Sequence, residues 1–189
     1  MRLSDFDDTK YGGGEKGNFF NLVQGDNKLR IVSEFAAKYS HFANNKYLGP
    51  CTQDEDCVFC NQENKPSVKF LCHVIDRKDG TIKLAQFGVV ILKQLKQYSL
   101  DPQYKFTVVP NWDCNIIKTG ERLETKYAVI PDRNDLALTN EEKEMIEKLK
   151  SPLDIVMAMN KKQTTFEASL TDKQTSTQPE VNVDDIPFN

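Results

Sequence analysis

Long apolar runs are missing from this 189-residue chain. No stretch approaches the ~20 residues that a membrane-spanning helix needs, and the opening Met1-Arg2-Leu3-Ser4-Asp5-Phe6-Asp7-Asp8 lacks the apolar stretch of a secretory leader. A soluble, cytoplasmic protein with no membrane partner is expected, its thiols facing a reducing compartment. Cysteine is sparse and odd in number, at five, which ranks metal binding above a disulfide framework. A surplus of positive charge is also absent: the formal net charge is -3, which at first sight argues against a polyanionic ligand.

The distribution of charge matters more than its sum. Residues 163–189 hold one base and five acids, whereas residues 65–105 hold eight bases and three acids. A basic middle and an acidic end on one chain suggest two different partners. The apolar fraction of 39% and charged fraction of 28% suit one ordinary globular core plus a tail.

Residues 1–24 show no clear period and read as a flexible arm. Their Gly12-Gly13-Gly14 is not followed by the Gly-Lys-Ser/Thr of a phosphate loop. Lys28-Leu29-Arg30-Ile31-Val32 alternates as a half-buried strand does. Val68 to Ile75 and Thr81 to Phe87 predict a hairpin turning at Asp79-Gly80. Gly88 opens an amphipathic stretch through Val89, Ile91, Leu92, Leu95 and Tyr98 that ends before Asp101-Pro102. Two further strands fit Trp112 to Lys118 and Glu124 to Ile130. Thr139-Asn140-Glu141-Glu142 is a capping box for a helix to about Lys150, and Ser151-Pro152 starts a second helix. From about residue 161 onward Thr, Ser, Gln, Asn and Pro dominate, the composition of disorder. The expected domains are therefore an arm (1–24), a mainly β core (25–135), C-terminal helices (136–160) and a disordered acidic tail (161–189).

Residues 41–64 are too polar to build a core unaided and read as an insertion that something else must order. Cys57-Val58-Phe59-Cys60 spaces two thiols for one tetrahedral ion. Cys51 and His41 lie upstream, completing His-x9-Cys-x5-Cys-x2-Cys. Four protein ligands leave no open coordination position, so a single structural zinc ion is expected rather than a catalytic one. Cys72 and His73 on the next predicted strand are alternatives for the fourth ligand, and Cys114 reads as core. A zinc deaminase needs His-x-Glu, and position 43 is Ala43, so the general acid/base is missing.

Single-stranded nucleic acid is held by cations that track phosphates and by flat side chains on which bases stack. Here Arg30, Lys38, Lys69, Arg77, Lys78, Lys83 and Lys105 interleave with Tyr39, Tyr47, Phe70, Phe87, Trp112 and Tyr127. With the ligand order His41, Cys51, Cys57, Cys60 between the first strand and the hairpin, then Lys69-Phe70, Gly80, Phe87-Gly88 and Ile91, residues 26–131 resemble the zinc-containing single-stranded DNA-binding proteins of T-even and related bacteriophages. That resemblance implies a five-stranded OB-fold barrel with a zinc insertion. It also implies no catalytic activity and a role coating single-stranded DNA in replication, recombination or repair. The segment Gly120 to Tyr127, with Arg122, occupies the place of a DNA-touching segment of that family. An RNA-binding or transcription-related OB protein of the same shape is the alternative.

The chain ends Asp184-Asp185-Ile186-Pro187-Phe188-Asn189. Asp184 to Phe188 is similar to the tip of bacterial single-stranded DNA-binding proteins, which implies recruitment of replication and repair proteins. Acidic residues steer toward basic pockets while Ile186 and Phe188 supply an apolar anchor.

Overall fold

The computed structural model describes residues 19–44, 46–53, 55, 57–132 and 137–160. It is a mixed α+β structure built on one strongly curled, open sheet. The sequence predicts five strands; the sheet has eight. In chain order they are β1 (Phe19–Phe20), β2 (Lys28–Ile31), β3 (Ala36–Ala43), β4 (Lys46–Pro50), β5 (Ser67–Asp76), β6 (Ile82–Phe87), β7 (Cys114–Thr119) and β8 (Lys126–Pro131). A short helix α1 (Val58–Asn61) follows β4, α2 (Val89–Leu100) follows β6, and α3 (Asn140–Glu147) follows β8. Residues 152–160 form a last helix, α4, with Pro152 as its first helical residue. Among the described residues no helix is long and apolar enough to cross a membrane.

The strand β5 organises the sheet. One of its edges pairs with β6 from Phe70 to Ile75. Its other edge is shared: Ser67–Leu71 pairs with β3, and Val74–Asp76 pairs with β2. β2 also pairs with β7, and β7 with β8, so the sheet curls around from β6 to β8 without a pairing that joins those two. The period of two along β5 sends Cys72 and Val74 inward, where they meet Leu29, Ile31, Ala85, Phe87, Ile91, Leu95, Trp112, Ile116 and Val129. Leu71 points outward, yet it is also fully buried, because Val156 of α4 covers it with Ala36 and Leu84. Both faces of β5 are therefore covered, which explains its unbroken buried run from Leu71 to Ile75.

The hairpin and helix signals correspond to observed elements. Gly80 takes φ +71 in the β5–β6 turn, a conformation glycine adopts without a Cβ penalty. In α2, Ile91 and Leu95, one turn apart, are buried against the sheet. The same helix covers the free side of β8: the Gln94 side chain donates to the Tyr127 carbonyl and accepts from Val129 N–H, and the Tyr98 hydroxyl donates to the Val129 carbonyl. The capping box of α3 forms, with Glu142 N–H donating to Thr139 Oγ1 and Thr139 N–H to Glu142 Oε2.

Two readings need correction. Residues 41–64 are not wholly an insertion, since β3 runs through Ala43 and β4 pairs with it from Lys46 to Pro50. Phe19 and Phe20, within the segment read as an arm, form β1 against β6, and Phe20 enters the core.

Candidate metal centre and the surface beside it

β3, β4 and α1 bring four predicted ligands together. His41 lies near the end of β3, Cys51 directly follows β4, Cys57 caps α1 and Cys60 lies within it. Their ligating atoms all lie within 4.8 Å of one another. Cys51 Sγ is 3.9 Å from Cys57 Sγ and 3.6 Å from Cys60 Sγ, and His41 Nε2 is 3.3 Å and 3.7 Å from the latter two sulfurs. In a tetrahedron with metal–sulfur bonds of ~2.3 Å and metal–nitrogen bonds of ~2.0 Å, sulfurs stand about 3.8 Å apart and sulfur and nitrogen about 3.5 Å. The donor set and spacing could hold a tetrahedral ion such as zinc.

The electrostatics of the cluster are those of crowded thiols. Cys57 is lowered to about 6, first by the Cys60 backbone N–H that donates to its sulfur. Cys60 is pushed up to about 12, first by its side-chain hydrogen bond with Cys51 and then by burial. Thiolates this close repel one another, and a cation among them removes that conflict. His41 is fully buried, and Phe59 packs beside its ring at a centroid distance of 5.2 Å.

The alternatives for the fourth ligand lie elsewhere. Cys72 is fully buried in the core, and desolvation pushes its thiol far up. His73 faces the opposite side of β5, in a cavity lined by Phe19, Leu84, Leu149, Ile155 and Met159. Cys114 is core, raised to about 12 by burial.

Several of the residues expected to touch nucleic acid are otherwise engaged. Phe87 and Trp112 are 1% and 3% exposed, so neither offers a ring face to a base. Trp112 is enclosed by Tyr98, Tyr104 and Phe106, and its indole N–H donates to the Tyr104 carbonyl. Arg30 is buried and paired with Asp113 at 3.0 Å. Arg77 holds the same carboxylate at 2.6 Å and also pairs with Glu142 of α3. Lys83 is held by Asp76 and Asp79. The alternation of charge along the sequence could not reveal these partners, because Asp113 lies 83 residues from Arg30.

Others remain at the surface. Lys69, Lys78, Lys105 and Arg122 are exposed, Lys38 is half-buried with Nζ 3.9 Å from Met159 Sδ, and Tyr127 is half-buried against the core. Tyr39 and Phe70 are half-buried diagonal neighbours on β3 and β5, on the face that carries Cys72 farther along. Tyr47 is exposed on β4, edge-on to Phe42 with ring centroids 5.5 Å apart. Phe42 was not singled out in the sequence; its signal is its place beside His41, opposite Tyr47 in the β3–β4 register. Asn64 is a second missed residue. It hydrogen-bonds both His41 and the Phe42 carbonyl. The tail residues Asp184, Asp185, Ile186, Pro187 and Phe188 lie outside the described residues.

No protein-family model, no curated protein and no solved structure matches this chain.

Proposed function

We propose that this protein binds and coats single-stranded DNA, with a structural zinc ion ordering the lobe at one end of an OB-like half-barrel. The observation that carries the reading is the exposed Phe42–Tyr47 pair at the β3–β4 hairpin. Two large rings held edge to face at the surface are a ready stacking platform.

The connectivity supports the fold part of this reading. Taken as one interrupted strand, β2 and β3 pair with β5 and β7, and a helix separates β6 from β7. That connectivity is compatible with an OB-fold whose metal lobe lies in the connection between its first two strands. Lys38 and Lys69 stand directly opposite one another across β3 and β5. Facing like charges cost stability, and a phosphate between them relieves that cost. Lys46 and Lys65 flank the hairpin, but Glu55 and Glu63 sit on the same lobe. Stacking, more than phosphate neutralisation, therefore carries binding at the metal lobe. The acidic tip Asp184 to Phe188 recruits replication or repair proteins in this reading, and the protein performs no turnover.

The test is fluorescence anisotropy with labelled oligo-dT across a salt series. Phe42→Ala and Tyr47→Ala are each expected to weaken binding by about 1–3 kcal/mol, the range for one lost base stack. Competition with duplex DNA and with oligo-U of equal length identifies the preferred strand. No binding at low salt, or equal affinity for duplex, refutes the reading; preference for oligo-U makes RNA the ligand.

A further inference from the structure

Asn64 occupies a position with two consequences. Its backbone is fixed to the metal lobe, because Asn64 N–H donates to the Phe59 carbonyl at 3.0 Å and the preceding Glu63 N–H donates to the Cys60 carbonyl at 2.9 Å. Its side chain then spans from the cluster to the hairpin. Asn64 Nδ2 donates to the Phe42 carbonyl at 3.2 Å, and Asn64 Oδ1 lies 3.3 Å from His41 Nδ1.

The donor and acceptor roles follow from the far end inward. A backbone carbonyl only accepts, so the Asn64 amide nitrogen must face Phe42. The amide oxygen must then face His41, and it can only accept. His41 Nδ1 must therefore carry a proton, and in the neutral imidazole the Nε2 lone pair then faces the sulfurs of Cys57 and Cys60. That is the tautomer a metal ligand at Nε2 requires. A partner on the second imidazole nitrogen is a general device for orienting a ligating histidine.

We propose that Asn64 is a positioning residue that couples metal occupancy to the exposed aromatic hairpin. It holds His41 in the ligating tautomer and holds the Phe42 carbonyl, so the Phe42–Tyr47 pair keeps its geometry only while the centre is loaded. The coupling itself stands on the cluster and the hydrogen bonds; its use for base stacking rests on the nucleic-acid reading above.

The experiment uses the full chain, reduced, with Co2+ as the metal probe. Cobalt affinity is measured by chelator competition, and amide hydrogen exchange is followed over residues 41–50 in loaded and metal-free protein. Asn64→Ala removes both hydrogen bonds and is expected to weaken cobalt binding about 10- to 100-fold. Asn64→Asp keeps an acceptor for His41 Nδ1 but has no donor for Phe42. It should retain cobalt affinity within roughly threefold, while exchange over 41–50 in the loaded protein rises toward the metal-free rate. This split between the two variants is not produced by general destabilisation, which would move both readouts together.

Wild-type cobalt affinity in Asn64→Ala, wild-type protection in Asn64→Asp, or metal-independent exchange over 41–50 in the parent protein overturns the coupling. Oligo-dT binding separates the second half. If the parent protein does not bind, the nucleic-acid reading fails and the coupling is still decided by cobalt and exchange. If the parent binds and loaded Asn64→Asp binds equally tightly, the link from coupling to stacking is wrong.

Discussion

Asp113→Ala tests whether Arg30 and Arg77 belong to the architecture. Asp113 is 6% exposed and Arg30 is 5% exposed, so the carboxylate and at least one guanidinium are out of water together. Asp113 Oδ1 receives Arg30 Nη1 and Arg77 Nη2, each at 3.0 Å, and Oδ2 receives Arg77 Nε at 2.6 Å. Removing the shared acceptor takes from buried Arg30 the carboxylate it holds at 3.0 Å, and breaking comparable buried pairs costs about 3–5 kcal/mol. Arg77 loses the same acceptor but is less buried and keeps Glu142. In urea the midpoint should fall by about 1–3 M at a typical slope for a small domain. The double variant Arg30→Met, Asp113→Leu, in which Arg77 keeps Glu142, should recover much of that loss, since apolar groups of similar volume can replace a buried ion pair. A midpoint for Asp113→Ala equivalent to less than about 1 kcal/mol of destabilisation, at unchanged slope, would refute the argument.

Three further outcomes are expected. Phe87→Ala should destabilise by about 3–5 kcal/mol in the same urea assay, because the ring is 1% exposed in the core. Trp112 emission should stay blue-shifted and resist quenching by added acrylamide or oligo-dT, its indole being enclosed by three other rings; strong quenching by either would place the indole at the surface. His73 is held below its ordinary value by burial, and its Nδ1 has no hydrogen-bond partner. The unfolded chain therefore binds the proton more readily, so stability present at neutral pH is lost as pH falls below ~6.5. His73→Leu should flatten that part of the pH profile, and an unchanged profile would assign the acid sensitivity to other groups.

The sequence is most informative where local chemistry and tertiary environment agree. The β5–β6 hairpin, α2 and the cap of α3 are legible because period, turn residues and capping residues act over a few positions. The His41, Cys51, Cys57 and Cys60 cluster is legible for the same reason: thiols and imidazole at these spacings have little other use in a polar segment. β3 is hidden because Ala36-Ala37-Lys38-Tyr39-Ser40-His41 has modest strand propensity and gains its pairing from β5, some thirty residues on. Arg30 and Arg77 mislead because a cation in a strand looks the same whether it meets solvent or a buried carboxylate. Phe87 and Phe42 show the converse. Phe87 ends a predicted strand and Phe42 lies in the segment read as an insertion, and only tertiary structure shows that the first is enclosed by the core and the second left outside.

The side-chain amide of Gln94 has a consequence for how copies of this molecule behave when crowded. A bare strand edge is a template on which another chain can add, and proteins with long bare edges aggregate. By taking up the Tyr127 carbonyl and the Val129 N–H, Gln94 stands in for the next strand, and Tyr98 occupies Val129's carbonyl beside it. The helix thus closes the terminal strand to edge-to-edge growth without requiring a closed barrel. Copies of the molecule can crowd together without this edge offering a nucleus for fibrils.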